Sequence, residues 1–219
     1  MDSCAISKFR SIARRPLTRS ASDPGFRMTD YGIAILAGGE GQRIGGHKPE
    51  RLLKGKRLIE HVLDRIDTAS RRCVICVRET GQVANPNVPE ILDRADIRGP
   101  LAAVIPALAW ANREHLSGIV TVPCDMPYLP GDLPSRLVNG SAGQSRPAFA
   151  VCGRQLHPVC AFWPTMAIDR VAAFATGSRA SLRDALAFCG AAEVMWPEAE
   201  QGSFLNINSA EDLHRAELR

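Results

Sequence analysis

Five glycines fall within residues 38–46, in the run Gly38-Gly39-Glu40-Gly41-Gln42-Arg43-Ile44-Gly45-Gly46, and His47-Lys48 come directly after. Glycines at this density let a backbone turn tightly and approach a ligand without Cβ clashes. Their N–H groups form an anion nest, and Arg43 and Lys48 add two permanent positive charges. The chemistry indicated is the binding of a polyphosphate at the end of a strand. A bare glycine turn is the other reading, and the two cations weigh against it. Two commoner phosphate loops are excluded by spacing. A P-loop places Lys-Ser or Lys-Thr directly after its last glycine, whereas His47 intervenes here and Pro49 succeeds Lys48. The dinucleotide fingerprint fails because three residues, Gln42, Arg43 and Ile44, separate Gly41 from Gly45.

The second chemical feature is Pro123-Cys124-Asp125-Met126-Pro127, after the apolar run at residues 118–122. A carboxylate set between prolines at the end of a buried strand is rigidly placed to hold a hard cation. Mg²⁺ takes one or two protein carboxylates and completes its shell with phosphate oxygens, so Asp125 alone is enough. A turn-forming or helix-capping aspartate is the alternative. Cys73 and Cys76 form a CxxC pair inside a strand-like stretch with no second pair after it. They read as buried strand cysteines rather than a zinc or redox site. The seven cysteines are an odd number at irregular spacings, which argues against a disulfide framework and for a reducing cytoplasm. The five histidines show no metal-ligand spacing either.

Elements must position these groups at one edge. Residues 32–37 and 118–122 are short apolar runs of the kind that form fully buried strands. Residues 73–77, 90–92 and 193–196 read as further strands, and 147–151 with 158–162 as an antiparallel pair joined through Gly153. Helical spacing is found at 58–66, at 101–112 behind Gly99-Pro100, at 181–189, and at 210–218 behind the cap residue Ser209. Strands alternating with helices predict an α/β fold, a three-layer α/β/α Rossmann-like sandwich around a mostly parallel sheet. In such sheets ligands sit beyond the carboxyl ends of the strands. Both polar motifs fall there.

The net charge of +4 sits in the first residues. Residues 1–27 hold six of the 27 basic and two of the 23 acidic side chains, which leaves 21 of each for the body. A neutral body is unlike a nucleic-acid binder, and no apolar run is long enough for a membrane helix. Residues 1–30 lack apolar periodicity and read as a disordered arm, or as an extension upstream of a start at Met28. Residues 31–219 read as a single domain.

The glycine-loop residues Leu36-Ala37-Gly38-Gly39-x-Gly-x-Arg43-x-Gly-Gly-x-Lys48 resemble the signature of molybdenum cofactor guanylyltransferases, within the nucleotide-diphospho-sugar transferase fold. Leu58-Ile59-Glu60-His61-Val62, Gly99-Pro100-Leu101-Ala102, Pro123-Cys124-Asp125, His157-Pro158 and Asn206-Ile207-Asn208 match further blocks in order, so the resemblance covers residues 31–218. It implies transfer of GMP from GTP to the phosphate of Mo-molybdopterin, with Mg²⁺ as cofactor. It also implies molybdoenzymes or other proteins of the cofactor's biosynthesis as partners. On the matching positions it implies that Leu36, Ala37, Gly38 and Gly39 contact the nucleoside, that Asp93 helps hold it, and that Lys48 meets the phosphates. Asp125 becomes the metal ligand, with Lys48 and Arg43 stabilising the charge that grows on pyrophosphate. The double glycine Gly38-Gly39 favours GTP over CTP. His157 reads either as structural or as lying near the pterin, and Asn206 and Asn208 either reach the same cleft or cap the last helix.

Two positions depart from the family pattern. His47 stands where Asp commonly precedes the lysine, and Cys76 where a strand-end Asn helps hold the nucleotide. A relative with another nucleotide or acceptor, and a non-catalytic nucleotide-binding protein, are the competing readings. The presence of both Lys48 and Asp125 weighs against the second of these.

Overall fold

The computed structural model describes residues 30–39, 46–66, 72–84, 87–176 and 181–219. Residues 1–29 of the arm and residues 40–45 of the glycine loop, Arg43 among them, lie outside that set.

The core is a seven-stranded sheet. Its strands are β1 (Gly32–Leu36), β4 (Cys73–Val77), β5 (Glu90–Leu92), β6 (Gly118–Pro123), β7 (Ala148–Cys152), β8 (Gln155–Pro164) and β9 (Ala192–Trp196). A small hairpin of β2 (Leu52–Leu53) and β3 (Lys56–Arg57) stands apart from it. The sheet order is β5-β4-β1-β6-β8-β7-β9, with β8 antiparallel to both of its neighbours. The other pairings are parallel.

β1 and β4 are apolar throughout, and β6 is so but for Thr121, because both faces of the sheet are covered. Ile33, Ile35, Val120 and Val122 point to a layer containing α1 (Leu58–Arg65) and α3 (Leu133–Asn139). Ala34, Val74 and Ile119 point to the opposite layer, built from α2 (Leu101–Arg113), α4 (Ile168–Ala175) and α5 (Leu182–Phe188). The expected three-layer α/β/α sandwich is therefore present. A third cluster seats α6 (Ala210–Glu217) on the hairpin through Leu53, Leu58, Ile207 and Ala216.

The expected antiparallel pair is β7 and β8, joined by a tight turn at Gly153, whose φ of 57° suits a residue without Cβ. β8 begins at Gln155, earlier than its apolar pattern shows, because its first residues pair with β7 alone before the register shifts at Phe149/Ala150. The β2–β3 hairpin, α3 and α4 are not evident from sequence. Two-residue strands carry no periodicity, and Pro130 and Pro134 make the approach to α3 look like a loop. Ser209 caps α6 as expected, its hydroxyl accepting the Asp212 N–H at 3.1 Å.

The strand reading of Cys73 and Cys76 has a geometric consequence. Residues three apart on a strand face opposite sides, and the two thiols lie in different core layers. They cannot share a zinc ion or a disulfide. All six cysteines among the described residues are buried and free, and burial pushes the Cys73 thiol up to about 12.

Candidate active site

Four parallel strands, β1, β4, β5 and β6, end on one edge, and the segments leaving them wall a cleft of about 760 Å³. That volume suits a nucleotide-sized ligand. Leu36, Gly38 and Gly39 come from the end of β1, Arg78 from β4, Asp93 from β5, and Pro123 to Asp125 from β6. The start of α2 contributes Ala102 and Ala103, which add apolar surface to the lining.

Lys48 enters from the side. Gly46 and His47 both adopt left-handed backbone, with φ of 77° and 45°, and turn the chain into a 3₁₀ segment, Lys48–Glu50. This turn carries the lysine to Asp125, 77 residues away, and the Lys48 ammonium pairs with the Asp125 carboxylate. The ammonium also donates to Asn208 Oδ1 at 2.6 Å. The Ile207 N–H donates to the Asp125 backbone carbonyl at 2.9 Å, which ties the segment before α6 to the end of β6. Both side chains of the ion pair are only 12% exposed, so water screens it weakly.

Two carboxylate oxygens in the cleft, Asp125 Oδ1 and Asp93 Oδ1, are buried without a hydrogen-bond partner among the described residues. An oxygen in that position gains from a cation or an N–H donor. Burial raises the Asp93 pKa, with Arg78 acting in the opposite direction. Asp93 lies directly over Gly38, where a Cβ would sit 2.2 Å from Oδ2.

The sequence-selected residues are thus distributed unequally. Leu36, Gly38, Gly39, Lys48, Asp93 and Asp125 line one cleft. Ala37 is 1% exposed and does not line it. Its N–H donates to Cys76 O at 2.9 Å, and its carbonyl accepts Gln82 Nε2 at 3.0 Å. Arg43 lies outside the described residues. Asn208, a weaker candidate than the loop and Asp125 by sequence, joins the cluster through its side chain while its backbone N–H donates to Asp212 at 3.1 Å. Asn208 itself is absent from the cleft lining, and the cap of α6 is Ser209. Arg78 and Arg98 also line the cleft, and sequence reasoning misses them because isolated arginines in loops carry no motif.

A family model described as the MobA-like NTP transferase domain matches residues 33–194. The chain belongs to the MobA-like NTP transferase family. It is a nucleotidyltransferase. It is 36% identical over 192 residues to a molybdenum cofactor guanylyltransferase of Cereibacter sphaeroides, across 87% of this chain and 96% of that protein. A second protein of that name, from Rhizobium leguminosarum bv. trifolii, is 34% identical over 205 residues, with the same two coverages. Among solved structures, the molybdopterin-guanine dinucleotide biosynthesis protein A of Archaeoglobus fulgidus superposes with a TM-score of 0.69 at 26% identity. That match covers 85% of this chain and 97% of the other.

Of the two departures from the family pattern, Cys76 is placed differently than its sequence position implies. It is fully buried, its thiol lies 3.9 Å from the Ala103 carbonyl, and it does not line the cleft. Val74 and Cys76 on β4 face the layer that holds α2, so the thiol packs in the core. His47 is exposed in its left-handed turn, a region that His and Asp both tolerate better than most residues. His157 is 4% exposed and stacks on Phe204 with ring centroids 4.5 Å apart. Burial lowers its pKa, and Nε2 has no hydrogen-bond partner among the described residues. It lies outside the cleft lining, while Val159, two residues on, lies within it.

Proposed function

We propose that this MobA-like transferase is a molybdenum cofactor guanylyltransferase. It joins GMP from GTP to the phosphate of Mo-molybdopterin and releases pyrophosphate. The observation that carries this reading is the pairing in one cleft of Lys48 and Asp125 with a separate half-buried carboxylate, Asp93, in a lining that includes Leu36, Ala102 and Ala103. The names of the relatives support the choice of nucleotide and acceptor.

Asp93 supplies the base selection. Guanine presents two adjacent donors, N1–H and the 2-amino group, and an ionised carboxylate is an acceptor only. Adenine and cytosine present an acceptor nitrogen at the corresponding place and would be repelled. Leu36, Ala102 and Ala103 offer apolar surface to the ring, and the backbone of Gly38 and Gly39 lies where a ribose or phosphate can approach closely. Lys48, joined by Arg43 of the glycine loop, neutralises the phosphates and the charge that grows on the leaving pyrophosphate. The acceptor is a phosphate monoester, already anionic near neutral pH, and needs no general base.

Mg²⁺ fits the site. Asp125 Oδ1 is buried with no protein partner, and no group of three or more His, Cys, Asp or Glu that could hold a metal occurs, both among the described residues. Asp125 offers a carboxylate to be completed by phosphate and water oxygens, an arrangement this ion favours. Held by Asp125, the ion would neutralise phosphate charge and polarise the α-phosphorus. Among the described residues no helix is long and apolar enough to cross a membrane. A cytoplasmic location accords with six buried, free thiols.

The test is a nucleotide panel with Mo-molybdopterin and Mg²⁺, scored as kcat/KM ratios. GTP should exceed CTP and ATP, and a higher value for CTP would replace the guanylyl assignment. Asp93→Asn should cut the GTP-over-ATP ratio by about 10-fold or more, the scale of one charge-assisted hydrogen bond. It should also raise Tm at neutral pH. Because the folded-state pKa of Asp93 is raised, its ionised form opposes folding above that pKa, and the opposition disappears as pH falls toward the ordinary 3.8. The Tm gain of the variant should shrink in that same window.

Gly38→Ala probes the same group from below. The obstructing atom is the end of a side chain, so Asp93 can swing away and the fold should survive. KM for GTP should rise about 10-fold or more as the carboxylate leaves its place over the cleft floor. An unchanged KM would separate Asp93 from base recognition.

A further inference from the structure

α2 carries a proline, Pro106, in its interior. Proline there is costly, because it has no N–H for the carbonyl four residues earlier and its ring crowds that carbonyl. The carbonyl concerned belongs to Ala102, on the cleft wall. It accepts the Arg94 N–H at 2.9 Å. The residue before, Asp93, donates its own N–H to Val77 O at 2.7 Å. The segment that presents the Asp93 carboxylate is thereby fastened at two successive residues, to the end of β4 and to the first turn of α2. In an uninterrupted helix the residue at 106 would also donate to Ala102, and Arg94 would have to share that carbonyl.

We propose that Pro106 is a positioning residue for the nucleoside half of the cleft. By withholding an N–H it leaves the Ala102 carbonyl to Arg94, and this bond aims Asp93 over Gly38. Pro106 does not itself line the cleft. The inference rests on the reading of Asp93 as the group that recognises the base. It explains why a helix inside the enzyme keeps a residue that weakens it.

The experiment uses the full chain with Pro106→Ala, and Pro106→Gly as a second variant that restores the N–H with a much poorer helix former. Three quantities are read: amide hydrogen exchange at Arg94, Kd for GTP, and Kd for inorganic tripolyphosphate, the last two with Mg²⁺. Both variants should exchange the Arg94 amide faster, by about 10-fold or more. Both should bind GTP about fivefold more weakly, the size of one ordinary hydrogen bond. Tripolyphosphate affinity should stay within about twofold, since the phosphate half is held by other elements. Pro106→Ala should melt no lower than the parent, so that stability and binding move in different directions. An Arg94 amide as protected as in the parent, with unchanged GTP affinity, would overturn the proposal. Equal weakening of GTP and tripolyphosphate would also overturn it, by showing general support of the site. If the parent chain binds GTP no better than CTP, the reading of Asp93 fails, whereas the Arg94 exchange rate still judges Pro106 on its own.

Discussion

Asp125→Ala is expected to lower the rate of guanylyl transfer by about 10³-fold or more while the protein stays folded. The carboxylate has one oxygen in the ion pair with Lys48 and the other buried without a partner among the described residues, so it is a fixed anion beside the lysine. Loss of the pair removes a weakly screened attraction, but it also removes an unsatisfied buried oxygen, and these changes act on stability in opposite directions. Lys48 keeps its bond to Asn208, so the loop that carries it remains tied down. The expected signature is a near-parental melting temperature with transfer close to background across a magnesium titration. Asp125→Asn, which preserves shape and leaves an acceptor for Lys48, should be nearly as inactive. Turnover near the parental level at ordinary magnesium concentrations would remove Asp125 from the metal site.

Lys48→Ala should lower kcat by about 10²-fold or more, with a smaller effect on GTP binding. A cation that stabilises charge developing on the leaving group contributes more to the transition state than to the ground state. The lysine is pre-organised for that role. A left-handed turn at Gly46-His47 delivers it, and Asp125 and Asn208 hold its ammonium at the cleft. Little reorganisation is then needed when phosphates arrive. Single-turnover measurement at saturating GTP separates the two effects. If the Kd for GTP rises and the chemical step at saturation is unchanged, Lys48 is a binding residue only. Asn208→Ala, which frees one side of the ammonium, should fall between the parent and Lys48→Ala.

Much of this arrangement is readable from the amino-acid order, for physical reasons that can be traced to particular residues. Residues 32–37, and 118–122 but for Thr121, are apolar because their strands are covered on both faces, and such strands deliver the residues at their carboxyl ends to the ligand edge. Gly38, Gly39 and Asp125 can therefore be placed at the ligand edge of the sheet from their positions after these runs. The helix behind Ser209 is closed by local capping chemistry, which needs no tertiary information, whereas α2 starts behind Pro100 without a side-chain cap. The hairpin at residues 52–57, and the helices α3 and α4, have signals too short or too mixed with proline to stand out.

Local sequence determined most of the elements and the kinds of group at the strand ends. Only the tertiary structure decided which groups meet. Lys48, Asp125 and Asn208 are brought together because β1 pairs with β6 and because Ile207 binds the Asp125 carbonyl, contacts between distant parts of the chain that leave no periodic trace. The same is true of the face a residue occupies at a strand's end. Cys76 looks like a nucleotide contact by position, yet the register Leu36↔Cys76 turns its thiol under α2. Ala37 looks available, yet Cys76 and Gln82 already take its N–H and its carbonyl. Hydrogen-bond capacity is finite and local, but who uses it is settled by packing between elements, and that is decided only when the sheet assembles.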